Sequence, residues 1–224
     1  MRDLGKLPEA EPLYRKAIEL NPDYAIAHSN LGLVLKDLDN LEEAELSFRK
    51  AIELKPDFAF AHNNLGIILK NFGKSQEAEL SLRKAIELNP NFAEAYYNLS
   101  LIELLKGDYK YGFEHYEFRF KREKPLSVNG NPTIRKIDSL DLSKGEKLLV
   151  VSEQGLGDSL QYMRYIPYLR SQGIDVSFCA QIKLHLLIQA SNIDSNPLTP
   201  EQTSLISEGQ WIPLLSLPLS LIHI

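Results

Sequence analysis

Over roughly the first 120 residues, apolar positions recur at the spacing of helical faces. Leu31, Val34, Leu35 and Leu38 fall on one face, and Leu41, Ala44, Phe48, Ala51 and Ile52 on a second one just after it. The pattern then repeats in register. At a shift of 34 residues Asn30-Leu31-Gly32 falls on Asn64-Leu65-Gly66 and on Asn98-Leu99-Ser100, and Glu43-Ala44-Glu45-Leu46 falls on Glu77-Ala78-Glu79-Leu80. Arg49-Lys50-Ala51-Ile52-Glu53-Leu54 matches Arg83-Lys84-Ala85-Ile86-Glu87-Leu88 forwards and Arg15-Lys16-Ala17-Ile18-Glu19-Leu20 backwards. Pro22, Pro56 and Pro90 close the units, because proline stops a helix and turns the chain. Small residues recur where two helices must approach: Gly32 and Gly66 on the first helix of a unit, Ala44 and Ala78 on the second. One helix pair cannot bury its own apolar face, so such pairs stack.

These residues closely resemble the tetratricopeptide repeat, which implies an α-helical solenoid over residues 1–122. The spacing predicts a partial first repeat, in which Pro8 to Leu20 is a second helix without its partner, followed by two full repeats. The fourth unit diverges. Gly112 keeps the small position, but Arg119 stands where the next alanine is expected, and Tyr109, Tyr111, Phe113, Tyr116, Phe118 and Phe120 crowd around it. This reads as a capping repeat whose aromatics cover the end of the stack or face the next domain, set against the rival of an aromatic ligand box.

The first helices of such a stack line its concave face. Asn30, Asn64 and Asn98 share one register position and form a ladder of amides, each both donor and acceptor. The ladder resembles that of O-linked N-acetylglucosamine transferases, which implies an extended peptide or protein held in the groove by its backbone. The alternative is that each asparagine bonds a turn inside its own repeat. Lys36 and Lys70 lie near the ladder and suggest tolerance for acidic segments. His28 and His62, also in register, read as packing residues rather than metal ligands.

The second half changes period. Glu123 to Gly145 is rich in turn residues and reads as a linker over 123–145. Lys147 to Ser152 is an apolar, β-branched run expected as a buried strand. Gly155-Leu156-Gly157 follows. Asp158-Ser159-Leu160-Gln161 then has the form of a helix cap. Leu160, Met163, Ile166 and Leu169 give one helix its stripe, and Gly173 ends it. Asp175 to Ala180 is a second strand and Leu184 to Ala190 a second helix. Strand, helix, strand, helix predicts parallel strands with crossovers, a partial α/β domain over 146–224. The glycines lack the dinucleotide spacing and by themselves fit a tight turn plus cap.

The string Glu153 to Tyr162, then Arg164-Tyr165-Ile166-Pro167 and Pro213 to Pro218, resembles bacterial proteins that join tetratricopeptide repeats to a heptosyltransferase-like glycosyltransferase. The resemblance implies that residues 146–224 are part of the first of two Rossmann-like domains. It also places the catalytic carboxylate at the Gly-Asp pair Gly157-Asp158, and the nucleotide sugar on a second domain. Asp158 is then the candidate base for inverting sugar transfer. Glu153 is a second candidate, or a residue that orients the loop of Gly155 and Gly157. The helix dipole argues against strong basicity at Asp158. The expected role is a peptide-binding repeat domain on an incomplete glycosyltransferase, inactive alone and without a cofactor or metal of its own. The alternative is a non-catalytic scaffold with a degenerate α/β segment. The chain reads as a fragment truncated at both ends, and Ser220-Leu221-Ile222-His223-Ile224 as non-native read-through.

Composition narrows the partners. The net charge is −5, and the stretches on either side of Arg122 are both net acidic, so no phosphate-backbone binder is indicated. The single cysteine, Cys179, excludes a disulfide framework and a cysteine-rich zinc site. No apolar run is long enough to span a bilayer and no signal peptide opens the chain. A cytoplasmic protein is expected.

Overall fold

The structure is a computed structural model of the 224-residue chain and describes residues 7–138, 142–153 and 155–221. The absent first helix expected before Pro8, Gln154 of the motif, and Ile222 to Ile224 lie outside the described residues. The chain forms two compact units, with the boundary between Phe118 and Arg119.

The first unit is a run of helices: α1 (Leu7–Leu20), α2 (Ala25–Asp37), α3 (Leu41–Leu54), α4 (Ala59–Asn71), α5 (Ser75–Leu88), α6 (Ala93–Lys106) and α7 (Tyr109–Tyr116). Each helix packs on the next, and the first helices of successive units also touch, α2 on α4 and α4 on α6. The turns follow from the sequence. Phe58 N–H donates to Lys55 O across Pro56, and Phe92 N–H to Asn89 O across Pro90, so each proline takes the second position of a β-turn. Within a unit the break between helices uses a left-handed residue, filled in register by Asp39 (φ 63°), Gly73 (φ 74°) and Gly107 (φ 83°).

The core is a zipper of small against large. A Cβ on Gly32 would lie 3.0 Å from the Phe48 ring, and one on Gly66 would lie 2.7 Å from Leu82 Cγ. Phe48, Leu82, Ala44, Ala78, Ala51 and Ala85 are all fully buried. Gly112 keeps this role in the divergent unit, where its Cβ would meet Leu104 Cγ at 2.8 Å. On the second helices Arg15, Arg49 and Arg83 each bond the glutamate four residues back, Glu11, Glu45 and Glu79. Arg15 and Arg49 also reach Glu43 and Glu77 on the next second helix.

The second unit holds a four-stranded, all-parallel sheet in the order β1-β4-β2-β3. The strands are β1 (Arg135–Lys136), β2 (Lys147–Val151), β3 (Asp175–Cys179) and β4 (Gln210–Pro213). Helices α8 (Leu156–Tyr162), α9 (Tyr165–Ser171), α10 (His185–Ala190) and α11 (Leu217–Leu221) connect or follow them. Sequence reasoning anticipated β2 and β3. It missed β4, a four-residue strand ending in proline, and β1, which lies inside the segment expected to be a linker. That segment is built into the unit: Val128 bridges Glu153, and Val128 and Ile134 pack on Leu149, Val151 and Cys179. Isolated apolar residues among turn formers carry no periodicity from which to read a strand.

Two further expectations are corrected. The helix after β2 begins at Leu156 with Gly155 in the cap position, so Asp158 sits inside the first turn and caps nothing. The single helix expected from Leu160 to Leu169 is two, because Pro167 has no N–H for Met163 O and Ile166 N–H takes that carbonyl at 3.0 Å. Leu160 is therefore exposed, while Met163, Ile166 and Leu169 remain buried.

A buried ion pair organises this unit. Arg119, fully buried, donates from Nε to Glu153 Oε2 at 2.8 Å and from Nη2 to Oε1 at 2.9 Å, with Ser216 Oγ also 2.9 Å from Nη2. The Phe120 ring lies 4.2 Å from the Arg119 guanidinium and 4.4 Å from Lys136 Nζ.

Two stability outcomes are expected. Gly66→Ala over-packs against Leu82 and costs about 1–3 kcal/mol, most of which is removed in a Leu82→Ala background, where only the approach to Ala78 O remains. A full cost in both backgrounds, read by urea denaturation with circular dichroism, would refute the close-approach account. Arg119→Met strands a buried carboxylate and costs about 3–5 kcal/mol, most of which Arg119→Met/Glu153→Met restores. Fluorescence of Trp211, the one tryptophan and a residue of the second unit, reports it; an unchanged midpoint in the single variant would show the pair to be idle.

Candidate functional site

Helices α2, α4 and α6 place the asparagine ladder on three successive first helices, but its members differ. Asn64 is buried at 3% exposure; its Nδ2 donates to Phe60 O at 2.9 Å and its Oδ1 accepts from Lys36 Nζ at 3.0 Å. Asn98, half-buried, donates from Nδ2 to Asn63 Oδ1 at 3.0 Å. Asn30 is half-buried and forms no side-chain hydrogen bond among the described residues. Of the two alternatives for the ladder, groove contact or bonding inside the repeats, Asn64 has its oxygen and nitrogen both engaged within the repeats. Lys36 is a tie between repeats, and Lys70 is half-buried. Beside the ladder Ile26 and Phe60, in register, are 45% and 37% exposed. His28 and His62 place Nε2 2.8 and 2.9 Å from Pro22 O and Pro56 O, fastening the turn ahead of each first helix.

The divergent unit gathers charge and rings. Glu103, 2% exposed, lies 2.7 Å from His115 Nδ1 and accepts from Arg83 Nη2 at 3.1 Å. Tyr96 stacks on Phe118 at 3.9 Å and lies 5.2 Å from the His115 ring, while Tyr97 meets Tyr116 at 5.7 Å. These contacts fill the end of the stack; Tyr109 and Tyr111 stay exposed.

In the second unit the candidate catalytic residues gather past the carboxyl ends of β2 and β3, where open parallel sheets bind ligands. Asp158 is exposed in the first turn of α8. Glu153 is 3% exposed, and both of its carboxylate oxygens are engaged by Arg119. A Cβ on Gly155 would collide with Asp158 Oδ2, whereas nothing lies near one on Gly157. Gln181 locks the loop: its Nε2 donates to Glu153 O, and its Oε1 accepts from Ser159 Oγ at 2.8 Å. Asn129 donates to Glu153 O from the other side. Asn129, Leu156, Gln181, Ile182, Lys183 and Pro200 line a cavity of about 430 Å³ beside it. Burial pushes the Cys179 thiol up to about 12, and its Sγ donates to Asn129 O at 3.0 Å, so it is a packing residue and no nucleophile.

Nothing in the sequence marks Gln181 or Asn129, or gives Arg119 a role at this loop. Arg119 alone left a signal there, as the arginine that replaces a repeat alanine. Among the described residues no group of three or more His, Cys, Asp or Glu is arranged to hold a metal, and no helix is long and apolar enough to cross a membrane.

Comparison with known proteins bears on the first unit. Profiles described as TPR repeat and tetratricopeptide repeat match residues 1–39, 25–58, 59–92 and 81–111. No curated protein matches the chain. Among solved structures, a crystal structure of MamA is similar at 28% identity and a TM-score of 0.49, over 53% of this chain and 70% of that one. MamA 41-end from Desulfovibrio magneticus RS-1 is similar at 21% identity and a TM-score of 0.48, over 55% of this chain and 71% of that one. With the 34-residue register, the proline turns and the glycine zipper in place, residues 1–111 are tetratricopeptide repeats.

Proposed function

We propose that the first unit is a peptide-binding module whose groove holds an extended segment of a partner protein. The observation that carries this reading is the half-buried Asn30 amide, uncommitted among the described residues, on the same first-helix layer as the exposed side chains of Ile26 and Phe60. An amide beside apolar side chains can hold a peptide backbone while the peptide's own apolar groups are buried.

The finer reading assigns the second unit to a Rossmann-like acceptor domain of an inverting, cytoplasmic glycosyltransferase, with Asp158 as the base and the nucleotide sugar held by a further domain. Exposed Asp158 at the carboxyl edge of a parallel sheet supports it. A non-catalytic scaffold is the second reading, favoured by Glu153, whose carboxylate is engaged by Arg119.

For the groove, Asn30→Ala should weaken a library-selected peptide by about 0.5–1.5 kcal/mol at unchanged stability, whereas Asn64→Ala should cost about 1–3 kcal/mol of stability. Equal peptide affinity in Asn30→Ala and the parent would remove Asn30 from the contact surface. For the enzyme reading, the chain should turn over no nucleotide sugar, and micromolar nucleotide-diphosphate binding to it in calorimetry would overturn the assignment of the donor to a further domain. In a protein joining this chain to a donor domain, Asp158→Asn should lower kcat by about 10²–10⁴; undiminished turnover would leave Asp158 without a catalytic role.

A further inference from the structure

We infer that the occupant of the groove is an acidic segment of a partner protein with apolar side chains between its carboxylates, and that Lys70 is its principal anchor. The inference rests on the groove reading above and adds the chemistry of the occupant.

Three observations converge. The first is apolar: Ile26 and Phe60 stand exposed at one register position, and Leu33 and Ile67 are half-buried at another on the same helices. The second is the distribution of charge. Lys70 is the only Asp, Glu, Lys or Arg of α4, and α2 adds Lys36 and Asp37. The second helices are net acidic, α3 with Glu42, Glu43, Glu45 and Glu53 against Arg49 and Lys50, and α5 with Glu77, Glu79 and Glu87 against Arg83 and Lys84, while the first helix α6 carries Glu94 and Glu103 against Lys106. Among α2, α4 and α6 only α4 is net positive, through Lys70, and it is there that an anionic segment is drawn.

The third is a break in register. Lys36 donates to Asn64 of the next repeat. The equivalent acceptor for Lys70 is Asn98, but the Asn98 amide is turned to Asn63, and Lys70 forms no hydrogen bond or ion pair among the described residues. The next residue in this register is Leu104, which offers no charge. Lys70, half-buried as a residue, thus has an ammonium that no protein acceptor engages among the described residues. A peptide carboxylate supplies the missing acceptor through a charge-assisted bond. In an extended chain alternate side chains face one way, so a carboxylate and an apolar side chain two residues apart both reach this face.

The test uses the full chain and a fluorescein-labelled nonapeptide with valine and aspartate alternating at its even positions and serine elsewhere. Its asparagine isostere is the comparison, and fluorescence anisotropy is the readout. The aspartate peptide should bind about tenfold more tightly than the isostere. Lys70→Met should abolish that advantage, while Lys50→Met on α3, which removes the same charge from another face, should keep it. Circular dichroism checks the fold, and Lys70→Gln gives the same readout should the methionine variant unfold. Equal binding of the two peptides overturns the inference and leaves the groove reading standing. So does binding of neither by a preparation that still holds a library-selected peptide. An advantage that survives in Lys70→Met and Lys70→Gln removes Lys70 as the anchor.

Discussion

From α2 to α7 the helices of each pair sit where they do because a glycine on one helix admits a large side chain from its neighbour. Phe48 enters over Gly32, Leu82 over Gly66, and Leu104 over Gly112. Side chains at those positions would hold the helices apart and open voids that the short amphipathic helices could not sustain. The proline turns, the left-handed residues at 39, 73 and 107 and the arginine ties all serve to present these faces at the right distance. The ion pairs are the weaker partner. They are largely exposed, worth tenths of a kcal/mol to about one each, and they fix register more than stability.

The last repeat shows what the zipper requires at its end. Arg83 has no glutamate on a following second helix, since that position is Tyr111, and it turns to the buried Glu103. His115 completes that site, and Tyr96, in register with the turn-fastening His28 and His62, stacks on Phe118 instead. The residues that break the repeat pattern are therefore the ones that close it.

Legibility followed the length of the pattern. The helices of the first unit could be read because three copies of one register reinforce each other, so that Pro22, Pro56 and Pro90 each confirm the rest. The second unit offers every signal once. Gly155 and Asp158 compete for one cap, and only backbone geometry decides between them. Pro167 breaks a helix whose apolar spacing is otherwise unbroken. Trp211 and Ile212 become a strand because β2 and β1 stand on either side of them, a fact absent from their own neighbourhood. At the sites, side-chain type was legible and side-chain commitment was not. Asn30 and Asn64 look identical in the repeat, yet Phe60 O and Lys36 engage one and not the other. Glu153 reads in the sequence as a second candidate base or a loop-orienting residue, and only the fold brings Arg119, 34 residues away, against it.

The strand order also sets a schedule for synthesis. The repeats make their contacts with near neighbours in the chain, so each helix pair can dock as soon as it leaves the ribosome. The sheet cannot assemble in this way. Of the four described strands β4 is made last, yet it lies between β1 and β2, so β1 lacks this neighbour until residue 213 has emerged. Arg119 likewise waits for Glu153 and then for Ser216. During that interval the edge of β2 that will receive β4 is unpaired, a template on which another chain could pair.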